Sequence, residues 1–217
     1  TNVVIPDTIQ IGDKIYTVTG IAQGAFQNCT KLQSITIPEN VQTIGDGAFY
    51  ACDNLTSVVW NAINCNCNRP FYSYNGSKVS SFTFGDKVQT IPAGLCSGLS
   101  LLDTIVIPES VTSIGEYAFR RTGITSVNIP QDVVQIGYGA FAYTNLTSLT
   151  IPITVKYVGY NVVCECADLT SFICHSEALD DYDGDDDCAF GGCASLENVV
   201  APAAMFNGEI YLYEYEG

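Results

Sequence analysis

The stretch LQSITIPENVQTIGDGAFYACDNLTS, residues 32–57, holds one full copy of a pattern that recurs along the whole chain. It opens with an alternating run, Ile35-Thr36-Ile37-Pro38, typical of a short strand that ends where proline lacks the N–H needed for pairing. An Ile-Gly-x-x-Ala-Phe motif follows at 44–49, and a Cys-x-x-Leu-x-Ser motif at 52–57. The alternation predicts that Ile35 and Ile37 face a core and that Thr36 faces solvent.

The strand-like run recurs at a nearly constant interval. Its copies end at residues 5, 37, 60, 84, 107, 129, 151, 174 and 201, and six of the eight intervals between them are 22 to 24 residues. A unit of this length cannot enclose a core alone, so neighbouring units must stack, with strands about 4.8 Å apart. The repeat therefore predicts one elongated domain, residues 1–217, built as a solenoid with a parallel sheet.

The longer intervals mark the ends and the interruptions of this solenoid. Residues 1–26 hold two alternating runs around a Gly-Asp turn, which predicts an N-terminal capping hairpin together with the first unit. The repeats are predicted over 27–201, with an irregular third unit at 61–81 and an acidic insert at 177–188. The tyrosine-rich residues 202–217 are predicted to form a C-terminal cap.

Composition narrows the possible functions. The chain has 217 residues, of which 47% are hydrophobic, and its net charge of −15 disfavours nucleic acids and anionic membranes as partners. No apolar run approaches the roughly 18 residues needed to span a bilayer, so no membrane insertion within this chain is expected. Because His175 is the single histidine and no catalytic groups cluster in the sequence, we predict a protein that is not an enzyme and has no cofactor.

The three motifs, in this fixed order, resemble the BspA-type leucine-rich repeat family over nearly the whole chain. The resemblance implies an α/β solenoid, mostly β: a right-handed leucine-rich repeat superhelix of about eight 22–24-residue units with a parallel sheet face and terminal caps. It also implies an extracellular or cell-surface protein, whose best-known relatives are adhesins that bind host matrix proteins such as fibronectin and fibrinogen, or other bacteria. The expected partners are therefore host extracellular-matrix proteins or glycoproteins, or another bacterial surface component.

The ten cysteines leave several interpretations open. Four of them share one repeat position, where buried and unreactive thiols are predicted: Cys29, Cys52, Cys166 and Cys193. Cys164, Cys166 and His175 could also be a zinc ligand set, although the Cys-x-Cys spacing is shorter than usual. Disulfides such as Cys65 with Cys96, or Cys164 with Cys188, would fit a secreted chain.

The acidic insert holds a weak candidate for a cation site. Asp181, Asp183 and Asp185 lie in a run of acidic residues, and hard cations prefer several carboxylate oxygens. A helix-loop-helix calcium motif fails, because Leu179 and Phe190 stand where its first and twelfth positions need Asp and Glu. We expect a solvated acidic loop here and no metal site elsewhere.

A row of outward residues is the candidate binding site. The middle outward positions of the predicted strands carry short, uncharged, mostly β-branched side chains: Thr36, Val59, Thr83, Val106, Asn128, Thr150 and Ile173, followed by Val200. A second outward row is predicted at Gln33, Ser57, Ser81, Thr104, Ser126, Ser148 and Ser171. Stiff side chains lose little entropy on contact and suit a protein or glycan partner, although β-branched residues also simply favour strands.

The leading hypothesis is a non-enzymatic, adhesin-like recognition module that binds proteins or glycoproteins through this row. A structural spacer or repeat stalk without a ligand of its own would have the same repeats. A polysaccharide-binding surface protein would instead carry aromatic side chains on its exposed face.

Overall fold

The computed structural model describes residues 1–72, 76–176 and 190–201 as a solenoid of about seven turns, which confirms the predicted fold. The regular elements in these ranges are all strands, and no helix there is long and apolar enough to cross a membrane. In chain order they are β1 (Asn2–Val4), β2 (Thr8–Ile11), β3 (Lys14–Thr17), β4 (Gly20–Ile21), β5 (Ser34–Ile37), β6 (Thr43–Ile44), β7 (Ser57–Trp60), β8 (Ser81–Phe84), β9 (Thr90–Ile91), β10 (Ser113–Ile114), β11 (Gln135–Ile136), β12 (Ser148–Ile151), β13 (Tyr157–Val158), β14 (Ser171–Cys174) and β15 (Asn198–Val200).

The longer strands form a parallel sheet in two blocks, which we call the strand-lined face. Strands β1, β5, β7 and β8 make the first block, and β12, β14 and β15 make the second. Within the first block the register places Val4, Thr36, Val59 and Thr83 side by side, and within the second Thr150, Ile173 and Val200. Alternate residues such as Ile35 and Ile37 are fully buried, as period-two alternation requires.

Between the two blocks, residues 105–107 and 127–129 do not form strands, so the strand prediction for Val106 and Asn128 is wrong. The direction of the side chains is nevertheless as predicted, because the isoleucines beside them are buried while Val106 and Asn128 are exposed. Burial of the apolar neighbours fixes that direction without the hydrogen-bond ladder of a strand. The prediction for Gln33 is also wrong, since the register pairs Ser34 with Ser57 in the second outward row.

A second, narrower parallel arrangement of two-residue strands lines another side of the solenoid. Strands β9, β10, β11 and β13 pair in one sheet and β4 with β6 in another, and an isolated bridge joins Thr43 to Asn66. Each strand turns one apolar residue inward, so Ile91, Ile114 and Ile136 form a fully buried column.

The third side, which we call the turn side, carries the Ala-Phe motif. Its phenylalanines point inward and stack, with centroid separations of 5.1 Å from Phe26 to Phe49 and 5.1 Å from Phe49 to Phe71. Where the structure describes the residues two before and two after this inward position, their backbone is left-handed, with φ between 44° and 81°. These left-handed residues are Gly24, Asn28, Gly47, Ala51, Arg69, Gly94, Gly98, Tyr117, Arg121, Gly139, Tyr143, Asn161, Glu165 and Gly192.

The glycine of the Ile-Gly motif allows neighbouring turns to approach each other closely. A Cβ on Gly137 would lie 2.5 Å from the backbone nitrogen of Glu116 and 2.8 Å from the carbonyl carbon of Gly115. The Gly137 N–H also donates to the carbonyl of Ile114 at 2.8 Å, so the two turns cannot separate without losing a backbone hydrogen bond.

The predicted N-terminal hairpin is present as the antiparallel pair β2 and β3, with Ile9 opposite Tyr16. All eight of its residues are exposed, and its capping role stays a prediction. The irregular third unit returns to the common core through Phe71. The acidic insert at 177–188, with its three candidate aspartates, and the predicted cap at 202–217 lie outside the described residues, and the predictions for both stay predictions.

Two alanine substitutions distinguish the effect of close backbone approach on stability from the effect of a left-handed backbone. Gly137→Ala should lower the free energy of unfolding by about 3 kcal/mol, since the new methyl group meets backbone that cannot move cheaply. Gly98→Ala should cost about 1 kcal/mol, because Gly98 has φ 81° but nothing within 4 Å of an added Cβ. Urea denaturation of both variants gives the comparison, and equal losses would contradict the close-approach explanation.

Candidate binding surface

The predicted row lies on the strand-lined face and is open to solvent along its length. Val106 is 81% exposed, and Thr83, Asn128 and Thr150 are also exposed. The half-buried members are Thr36, Val59 and Ile173. Strand β1 extends the row by one residue, Val4, which is 70% exposed and pairs with Thr36. The extension of the row to Val4 could have been predicted from the sequence, because Val3-Val4-Ile5-Pro6 has the same alternation as the other copies.

The row opens at Asn128 and Thr150 into a shallow depression of about 500 Å³. Its lining residues are Asn128, Ile129, Gln131, Thr150, Pro152, Ile153 and His175. Two members of the predicted row therefore contribute to it, together with the single histidine. Their amide, hydroxyl and imidazole groups offer hydrogen-bond donors and acceptors, while Ile153, 73% exposed, offers apolar surface.

Charge is distributed unevenly along this face. The second residue after each strand-like run is acidic in much of the first part of the chain: Asp7, Glu39, Asp86 and Glu109. At the equivalent positions beside the depression the residues are Gln131 and Ile153. An exposed ion pair joins Lys87 Nζ to Glu39 Oε1 at 3.0 Å, and such a pair is weak in water. The depression therefore lacks the acidic residue that follows the strand-like run in several earlier copies.

The repeated cysteine position is a buried column of thiols that donate to backbone carbonyls. Cys52 Sγ lies 3.1 Å from the Phe26 oxygen, Cys166 Sγ 3.2 Å from the Phe141 oxygen, and Cys193 Sγ 3.1 Å from the Val163 oxygen. Each contact joins one turn to the preceding turn. The prediction of buried thiols is confirmed for these three, whereas Cys29 is half-buried.

The alternative interpretations of the cysteines receive no support within the described ranges. The nine described cysteines are free thiols, so Cys65 and Cys96 are not joined, although both are buried. No group of three His, Cys, Asp or Glu residues there is placed to hold a metal ion, which excludes the zinc set of Cys164, Cys166 and His175 in this structure. The suggested partner Cys188 lies outside the described residues.

Burial makes the column thiols poor nucleophiles. It raises the pKa of Cys52 to about 11 and that of Cys193 to about 12, because the thiolate is poorly solvated between the turns. The pKa of Cys96 is also raised by burial. Since the thiolate is the reactive form, these side chains serve packing and hydrogen bonding.

Comparison with known families matches this geometry to one repeat type. The family model of the BspA type leucine rich repeat region matches residues 2–119 and 68–196, with six copies. The comparison with curated proteins finds no relative.

Solved structures with the same repeat architecture have low sequence identity to this chain. A leucine-rich repeat protein from Bacteroides ovatus is 19% identical with a TM-score of 0.50, and the alignment covers 94% of this chain and 70% of that one. The pneumococcal vaccine antigen PcpA is 18% identical with a TM-score of 0.49, covering 94% and 61%. The leucine-rich repeat protein of T. pallidum is 21% identical with a TM-score of 0.46, covering 90% and 77%.

The raised thiol pKa values predict slow alkylation of the native protein. At pH 8 a thiol of pKa about 11 is ionised in only about one molecule in a thousand, so Cys52 and Cys193 should react with iodoacetamide at least about a hundredfold more slowly than after unfolding in urea. Peptide mapping by mass spectrometry measures the rates, with half-buried Cys29 as the internal comparison. Labelling of Cys52 in the folded protein as fast as in urea would contradict the assignment.

The same pKa shifts predict how the stability of the folded protein changes with pH. A folded-state pKa above the unfolded value favours the folded state below about pH 8.5, and this contribution is lost as the pH rises toward 11 to 12. The thermal midpoint should therefore fall over that window, and Cys52→Ser should reduce the fall.

Proposed function

Because this chain belongs to the BspA-type leucine-rich repeat family, we propose that it is a non-enzymatic surface or secreted recognition module that binds proteins or glycoproteins through its strand-lined face. The observation that carries the proposal is the exposed, uncharged row that runs from Val4 to Val200 and opens into the depression at Asn128, Thr150 and His175. The partner expected for it is a host extracellular-matrix protein or glycoprotein, or another bacterial surface component.

Exposed aliphatic side chains on the face support protein contact. Val4, Val106, Ile153 and Val200 are each at least about half exposed, and all four lie on or beside the row. Each of these side chains offers apolar area that a partner would remove from water, which favours binding.

The rigidity of the platform is a second support. The row residues at the middle of each block, such as Val59 and Ile173, stand on backbone that is paired with the turns on both sides, and β-branched side chains have few rotamers to lose on binding. Binding therefore orders little that is not ordered already. The polar groups of the depression then provide direction, since an amide, a hydroxyl and an imidazole accept only matched hydrogen-bond partners.

The other hypotheses are less well supported by this face. The row carries no aromatic side chain, which disfavours stacking of a polysaccharide along it. A spacer without a ligand would not require the exposed aliphatic residues, because polar β-formers such as threonine would keep the same strands soluble.

Three charges placed on the face test the proposal. Thr83→Glu, Asn128→Glu and Thr150→Glu, combined in one variant, should weaken binding to immobilised fibronectin, fibrinogen or mucin at least tenfold, because each carboxylate must be desolvated against the partner. All three side chains are exposed, so folding should be retained. Biolayer interferometry with the three immobilised glycoproteins gives the dissociation constants.

A control variant adds the same charge elsewhere. Gln27→Glu, Gln42→Glu and Gln135→Glu are exposed positions outside the row and should leave binding within twofold of the unmodified chain. Equal weakening of both variants would show a general charge effect and overturn the assignment of the face. Failure of the unmodified chain to bind any of the three would favour the spacer.

A further inference from the structure

Two adjacent arginines and three tyrosines form a cluster on the turn side, away from the strand-lined face. Arg120 and Arg121 are two of the three arginines in a chain of net charge −15. The Cζ of Arg120 lies 4.7 Å from the ring centroid of Tyr143 and 5.5 Å from that of Tyr117. The Cζ of Arg121 lies 5.0 Å from the centroid of Tyr143. Tyr138 completes the cluster, with its ring 5.1 Å from that of Tyr117 in an edge-to-face arrangement.

Neither guanidinium has an anionic partner within the described part of the chain. The ion pair described there joins Lys87 to Glu39, and the side chains of Arg120 and Arg121 form no hydrogen bond in those ranges. Glu116 belongs to the same turn but pairs with neither arginine. Contact with the tyrosine rings holds the guanidinium groups in place while leaving their N–H donors available.

The large side chains of the cluster are particular to these turns. Tyr117, Arg121 and Tyr143 have φ of 54°, 58° and 59°, a left-handed conformation that side chains rarely adopt. The equivalent positions of neighbouring turns are Gly98 and Gly139, so the repeat does not itself require large residues there. The left-handed conformation itself is common to the turns of the solenoid, so it is the choice of large aromatic and basic residues that distinguishes this part of the turn side.

We propose that this cluster is a binding site for an acidic glycan, in which Arg120 and Arg121 bind the carboxylate or sulfate of a terminal sugar and the tyrosines contact the sugar ring. Two guanidinium groups present paired N–H donors that match the oxygens of such an anion. Tyr138 and Tyr143 are each more than a third exposed and combine an apolar ring with a hydroxyl, which suits the apolar and polar faces of a sugar.

The surroundings favour a glycan over a peptide. The backbone N–H groups of these turns donate to carbonyls of the following turn. Tyr117 N–H donates to the Tyr138 oxygen at 2.8 Å, and Arg121 N–H donates to the Ala142 oxygen at 3.0 Å. These donors cannot pair with an added peptide strand, which is a common way for an extended peptide to bind. The Tyr138 hydroxyl accepts from Asn161 Nδ2 at 2.9 Å, which fixes its position at the edge of the cluster.

The decisive variant is designed not to disturb the fold. Arg121→Gly introduces the residue found at the equivalent Gly98, and Arg120→Gln keeps the length and polarity of a side chain near Tyr143. Together they remove two positive charges. Lys31→Gln with Lys156→Gln removes the same charge from exposed positions outside the cluster and is the matched control.

The probes are glycans displayed on a neutral polymer and measured by biolayer interferometry: lactose, 3′-sialyllactose and 3′-sulfolactose, with a tyrosine-sulfated peptide for comparison. We expect an acidic glycan to bind at least tenfold more tightly than lactose, and the arginine variant to lose at least tenfold while the lysine control stays within twofold. The tighter of the two acidic glycans identifies carboxylate or sulfate as the group recognised.

Three results would overturn the site. They are equal binding of lactose and both acidic glycans, equal losses in the arginine variant and the lysine control, and tighter binding of the sulfated peptide than of either glycan. The strand-lined face is unchanged in the arginine variant, so its binding to enzymatically deglycosylated fibronectin, which carries no acidic sugar, tests the proposed function separately.

Discussion

Stacking of one turn on the next is the constraint on which the rest of this structure depends. No turn can bury its apolar side chains alone, so each column of the core is completed by the turns on either side. The rings of Phe26, Phe49 and Phe71 show the result, with successive centroids 5.1 Å apart. At the Ile-Gly motif the turns approach more closely still: a Cβ would lie 2.6 Å from the Ala93 nitrogen at Gly115 and 2.5 Å from the Glu116 nitrogen at Gly137, so glycine recurs there. The surface rows follow from the same spacing.

The buried columns could be predicted from the sequence because the repeat period and the in-out alternation both report burial. Strand hydrogen bonding cannot be predicted from the same pattern, since residues 105–107 alternate between buried and exposed without forming a strand. The register was predictable to within one residue, since Gln33 and Ser34 are both polar neighbours of Ile35. Asn128 and Thr150 were predicted as neighbours in the row, whereas their meeting with His175 in a depression was not predictable, because it depends on how the chain turns after each strand-like run.

The left-handed backbone of the turn side could not be predicted from the sequence. The Ala-Phe motif identifies the buried ring, but nothing in its spacing shows that residues on both sides of it are left-handed. A left-handed non-glycine residue costs about 1–2 kcal/mol, so Arg121 and Tyr143 must be held by their surroundings. Backbone hydrogen bonds to the following turn do this, from Arg121 N–H to the Ala142 oxygen and from Tyr143 N–H to the Cys164 oxygen. The stacked backbone thus supports side chains that an isolated turn would not keep in place.

The strongly acidic composition of the chain affects which ligands can bind its few uncharged or basic surfaces. At physiological salt, charges more than about 8 Å apart are largely screened, so a ligand at the Arg120 and Arg121 pair responds mainly to its immediate surroundings. The net charge of −15 still opposes polyanions, whose charge extends over many such distances. A ligand with one acidic group avoids most of that repulsion and still satisfies both guanidiniums. On the strand-lined face the same acidic background surrounds a row without charge, where shape and hydrogen bonding decide which partner fits.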